Sequence, residues 1–70
     1  MNVGLKIKNY LGIKGISQAH VSRQTGIPSP KLNLALNGKR ALQFEEYEII
    51  CGVLGVNTDF FLKPRLPKPR

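Results

Sequence analysis

The chain has 70 residues, 41% of them hydrophobic, and a net charge of +7 from 11 Lys and Arg against 4 Asp and Glu. That is material for one small domain with much of its surface exposed, and no apolar run approaches the length of a membrane span. A single cysteine, Cys51, excludes an intramolecular disulfide framework and any multi-cysteine zinc site, and "MNVGLKIKNYLGIKG" lacks the continuous apolar segment of a secretory signal, so a cytoplasmic location is expected.

Five helices are expected in chain order. Leu5, Ile7, Tyr10, Leu11 and Lys14 recur near a helical period, and Gly15 is placed to stop that segment. Ser17 stands before "QAHVSRQT" as a cap, and Gly26 ends this second helix after two turns. Pro30 disfavours helical geometry at the residue before it, which makes Ser29 the expected cap of a third helix running to Leu36, with Asn37 and Gly38 ending it. Residues 44 to 54, "FEEYEIICGVL", place acids in a first turn, where they complement the helix dipole, and align Tyr47, Ile50, Cys51 and Leu54 on one stripe before Gly55. "NTDFFL", capped by Asn57 or Thr58, is expected to form a short fifth helix. Residues 63 to 70, "KPRLPKPR", read as a flexible basic tail.

Charge is segregated along the chain. No acidic residue precedes Glu45, so Lys6, Lys8, Lys14, Arg23, Lys31, Lys39 and Arg40 have no acidic neighbour in sequence, whereas residues 45 to 62 contain no Lys or Arg. One basic face and one acidic end suit a polyanion binder that orients itself. His20 has no Cys or acid at ligand spacing and reads as a surface or partly packed histidine, while Cys51 reads as a buried small hydrophobe. No nucleophile and base pair and no phosphate-binding glycine loop are present, so no enzymatic activity, metal or cofactor is expected.

Two short helices joined by a glycine turn, "SQAHVSRQTGIPSPKLNLALNG", have the layout of a helix-turn-helix over about residues 17 to 37. "SQ" opening the second helix, Val21, the small Ser22, "GI" at the turn, apolar Leu32 and Ala35, "NGKR", and a final "LGV" before an apolar pair come in the order of one family. The chain resembles the Cro and phage-repressor helix-turn-helix domains over residues 5 to 62. The resemblance implies a compact, all-α, five-helix domain, residues 1 to 62, that binds operator DNA without a cofactor, commonly as a symmetric dimer. It also implies phosphate contacts at Ser17 and Gln18, and at Asn37, Lys39 and Arg40 after the recognition helix. Two departures stand out: Leu11 replaces a frequent arginine, and Ser22 replaces the usual alanine.

At about 100° per residue, Leu32, Ala35 and Leu36 fall on one side of the third helix and Pro30, Asn33, Leu34 and Asn37 on the other. Ser29, Pro30, Lys31, Asn33 and Leu34 are therefore the residues expected to face bases. Asn33 can pair with adenine and Leu34 can touch a thymine methyl, while Pro30 and Leu34 offer no hydrogen bond. Asn33 and Lys31 favour a sequence-specific repressor of phage or mobile-element type. Leu34 and Pro30 favour an alternative, an interaction module that titrates another regulator through this face. Ile49 and Val53 form an apolar pair beside the stripe of the fourth helix. Either the final helix or Val3 and Leu5 cover it, or it joins Phe60 and Phe61 in a two-fold homodimer interface.

Overall fold

A computed structural model describes residues 2–62. Among these are four helices and no strand: α1 (Gly4–Lys14), α2 (Gln18–Thr25), α3 (Ser29–Leu36) and α4 (Phe44–Leu54). The expected tail, residues 63–70, lies outside the described residues.

Local chemistry explains most of these boundaries. Ser17 caps α2 by accepting from the His20 N–H at 3.1 Å. The chain leaves α2 at Gly26, whose N–H donates to the Ser22 carbonyl at 2.9 Å. Ser22 also explains its departure from alanine, since its hydroxyl donates to the Ile27 carbonyl at 2.6 Å and braces the turn into α3. Ser29, expected as the cap, instead occupies the first helical position. Pro28, with φ −56° and extended ψ, takes the cap position, and its carbonyl receives the Leu32 N–H at 2.9 Å. At the other end, Gly38 with φ +74° lets its own N–H reach Ala35 and the Lys39 N–H reach Leu34 at 2.8 Å. These two hydrogen bonds fix Lys39 directly against the last turn of α3.

α1 packs on α3, and α2 packs on both α3 and α4. Ile7, Leu11, Val21, Leu32, Ala35, Leu36, Tyr47, Ile50 and Cys51 form the core, to which loop residues Val3, Ile27, Leu42 and Phe61 are added. Leu5, one of the residues that recur near the helical period of α1, is 61% exposed and stands outside its inward stripe. Gly4, Ile7 and Leu11 make that stripe instead, because α1 approaches α3 so closely that a Cβ at Gly4 would overlap the Ala35 carbonyl oxygen.

The expected fifth helix is a pair of turns. The i→i−4 bond of such a helix, from the Leu62 N–H to the Thr58 carbonyl, is not made: Leu62 bonds to the Asp59 carbonyl at 3.2 Å, and the Thr58 carbonyl receives the Tyr47 hydroxyl. Phe61 turns inward beneath Tyr10 and Tyr47, with centroids 5.5 and 6.4 Å away, and the Lys6 ammonium donates to its carbonyl at 3.3 Å. Burial pushes the Tyr47 hydroxyl up to about 12, so it stays a proton donor through the physiological range.

The Gly4 contact gives a paired expectation. Gly4→Ala should destabilise the domain by about 1–3 kcal/mol through overpacking against backbone that cannot retreat. Gly12→Ala, whose Cβ would meet nothing within 4 Å, should be neutral or stabilise by up to about 1 kcal/mol. Thermal unfolding of the two variants measures the difference, and equal effects would contradict the close approach.

Candidate functional site

The outer face of α3 is set by its inner face. Leu32, Ala35 and Leu36 are at most 1% exposed, which fixes the rotation of the helix and leaves Ser29, Pro30, Lys31, Asn33 and Leu34 all exposed. Leu34 is 48% exposed although it is apolar. Leu11 and Leu36 are both buried, so the position where related domains often carry arginine is occupied here by core packing.

A chain of hydrogen bonds crosses this surface. Asn33 Nδ2 donates to Gln18 Oε1 at 3.3 Å, tying the first residue of α2 to the middle of α3. Asn37 Nδ2 donates to the Asn33 carbonyl at 2.9 Å and to Asn33 Oδ1 at 3.2 Å. Lys8, on α1, donates from Nζ to Asn37 Oδ1 at 2.6 Å. Each amide orientation is therefore held by a neighbour. Asn33 still keeps one N–H and one oxygen lone pair unused, which are the two features an adenine edge requires.

A second network surrounds Glu46. Its carboxylate accepts from the Gln43 N–H at 2.9 Å in a reciprocal capping box, accepts from Arg40 Nη2 at 3.1 and 3.3 Å, and lies 3.5 Å from the Lys31 ammonium. The Gln43 N–H holds this carboxyl below its ordinary value; partial burial opposes the shift, and Arg40 and then Lys31 add to it. Arg40 is thereby turned toward α4, with Nη1 buried and without a hydrogen-bond partner. Lys31 keeps about half of its side chain exposed.

Sequence reading missed two of these participants. Glu46 carried a signal in the spacing Gln43-x-x-Glu46, which resembles a capping box with glutamine in place of serine or threonine. Lys8 carried none, because its partner lies 29 residues away. His20 is exposed and uses its backbone to bond Ser17, and no group of three or more His, Cys, Asp or Glu is placed to hold a metal among the described residues. Cys51 is 1% exposed and burial pushes its thiol up, away from thiolate chemistry. No helix among the described residues is long and apolar enough to cross a membrane.

The interaction surface expected at Ile49, Val53, Phe60 and Phe61 is only partly available. Ile49 and Phe60 are 47% and 55% exposed and Val53 is half-buried, but Phe61 is 6% exposed and belongs to the core. Its ring is enclosed by Tyr10, Phe60 and Tyr47.

The Glu46 network makes stability depend on acid. Glu46→Ala should cost about 1–2 kcal/mol near neutrality through loss of the cap and its ion pairs. Because folding lowers this carboxyl's pKa, its contribution is present above the unfolded value and lost as pH falls through the folded value, which lies below 4.5. Urea unfolding in steps from about pH 7 to about pH 2 should show the two proteins converging only in acid. Convergence above the carboxylate range would exclude this origin.

Neither the curated proteins nor the solved structures contain a significant match to this chain. The family model for the Cro/C1-type HTH DNA-binding domain matches residues 6–59, which spans all of α2, α3 and α4 and most of α1. The helix-turn-helix built by α2 and α3, with its polar chain and outward α3 face, lies inside that match, and the protein belongs to the Cro/C1-type helix-turn-helix DNA-binding domain family.

Proposed function

We propose that this protein is a sequence-specific transcription regulator, a repressor of phage or mobile-element type, that places α3 in the major groove of operator DNA. The observation that carries this reading is Asn33, exposed on α3 and oriented from both sides by Gln18 and Asn37. A side chain held in this way loses little freedom on contacting a base, so the correct base is distinguished at small entropic cost. Asn33 pairs with adenine, Leu34 meets a thymine methyl, and Ser29, Pro30 and Lys31 line the same approach.

Phosphates on either side are met by the α2 start, where Ser17 and Gln18 present the open end of the helix, and by Lys39 beyond α3. Asn37 and Arg40, expected at the same role, are engaged with protein groups, and the reading does not depend on them. No cofactor is required, and a DNA partner agrees with the cytoplasmic location expected from the sequence. Ile49, Val53 and Phe60 remain for a two-fold contact that would set two recognition helices about 34 Å apart, one turn of DNA. The exposure of Leu34 favours the second reading, in which the α3 face captures another regulator.

Selection from a random duplex pool separates the two readings. An enriched half-site motif is the expected outcome, and failure to enrich any sequence would favour protein capture. With about four to six phosphates contacted per subunit, log K against log salt should fall with a slope of about −4 to −5 per subunit. Asn33→Ala should change the preferred bases, whereas Lys39→Ala should weaken all sequences alike, as read by fluorescence anisotropy. Sedimentation with and without operator tests the dimer. Weak association strengthened by DNA is expected, and an Ile49→Lys, Val53→Lys variant that still dimerises would overturn this interface.

A further inference from the structure

The polar chain across α3 extends to a helix outside the helix-turn-helix, through Lys8 of α1. Asn37 has two amide hydrogens, and two acceptors on Asn33 face them, at 2.9 and 3.2 Å. Its side-chain donors are therefore committed within the protein. A phosphate oxygen is an acceptor and needs a donor, so the Asn37 side chain has nothing to offer it in this arrangement. The oxygen of the same amide is also in use, since it receives the Lys8 ammonium at 2.6 Å.

Lys8 stands differently. An ammonium has three donors, and the bond to Asn37 uses one of them. It is exposed, and it is fixed beside the end of α3 by an amide that is itself fixed by Asn33. Arg40, the cation nearest in sequence to that end apart from Lys39, is drawn away by Glu46 at 3.1 Å. A long lysine side chain ordinarily sacrifices rotamer freedom when it is immobilised on a phosphate. Here part of that ordering is already in place.

We infer that Lys8 of α1 makes a DNA phosphate contact next to the recognition helix, and that Asn37 is a positioning residue that holds the Lys8 ammonium for it. This rests on the reading of the protein as a DNA-binding regulator. The hydrogen-bonded run from Gln18 through Asn33 and Asn37 to Lys8 then joins a base-reading amide to phosphate anchors at both of its ends. Backbone position and base readout become one mechanical unit.

Salt titrations on duplex carrying the selected half-site test this. Lys8→Met should weaken binding to all duplexes about tenfold and reduce the magnitude of the salt slope by about 1, while Lys8→Arg should keep the slope. A merely structural lysine would leave the number of released counterions unchanged. Asn37→Ala should reduce the magnitude of the salt slope in the wild-type background and leave the slope unchanged in the K8M background, since its effect on the slope runs through Lys8, whereas its bonds to Asn33 bear on base preference. An unchanged slope in K8M, or a further fall in the slope when Asn37→Ala is added to K8M, would overturn the assignment while leaving the DNA-binding reading intact. A wild-type protein that binds no duplex at low salt would overturn both. Lys8 lies on the surface, so K8M tests the contact even where Asn37→Ala perturbs the end of α3.

Discussion

The close approach of α1 to α3 at Gly4 and the Ala35 carbonyl is the constraint on which the remaining geometry depends. With no side chain between them, the two helices meet backbone to backbone at the start of α1. Ile7 and Leu11 then enter the core, Leu5 is left outside, and Lys8 comes within reach of Asn37 29 residues later. A methyl group at position 4 would open this contact and displace each of these consequences together. The core of so small a domain has no second layer to absorb such a shift.

Electrostatics divides the basic residues into two groups. Of the four acids, Glu46 is committed to the interior side of the Arg40 turn, where it satisfies the start of α4 and restrains Arg40 and Lys31. Cap and pairs together contribute about 1–2 kcal/mol, and their further consequence is geometric. By holding Arg40 against α4, it leaves the surface beside α3 to Lys39 and Lys8, whose positions are set by backbone bonding and by an amide respectively. The surplus of positive charge is thus sorted by local structure.

Where the chain announces its fold, it does so through short-range chemistry. Ser17, Gly15, Gly26, Gly38 and Gly55 each act on bonds within a few residues, and the corresponding helix ends fall where they predict. The rotation of α3 followed from periodicity alone, because three buried residues on one side leave a single arrangement. What could not be read depended on partners distant in sequence. The residues Asn57 to Leu62 have a capping residue and an apolar pair, but they are drawn into turns against the core by Phe61 and by the Tyr47 bond to the Thr58 carbonyl. Adjacent Phe60 and Phe61 carry no local signal for which ring turns inward; Tyr10 and Tyr47 enclose Phe61 and leave Phe60 exposed. Ser29 was displaced by one residue because Pro28 already has the backbone shape of a cap. The family layout points to the α2 and α3 residues of the proposed site, while Lys8 reaches that surface only through the fold.

The locking of Asn33 between two other amides also bears on how such a protein can diverge. Ser29, Pro30 and Leu34 make no side-chain hydrogen bond among the described residues and can be replaced one at a time, each with small effect on folding. Asn33 is different. A new residue there removes the side-chain partner of Gln18 and one of the two bonds made by the Asn37 amide hydrogens, so a favourable replacement in one lineage is unfavourable in another, according to what those two positions hold. Drift at the centre of this surface is therefore epistatic, and descendants with a different residue at position 33 should carry compensating changes at 18 and 37.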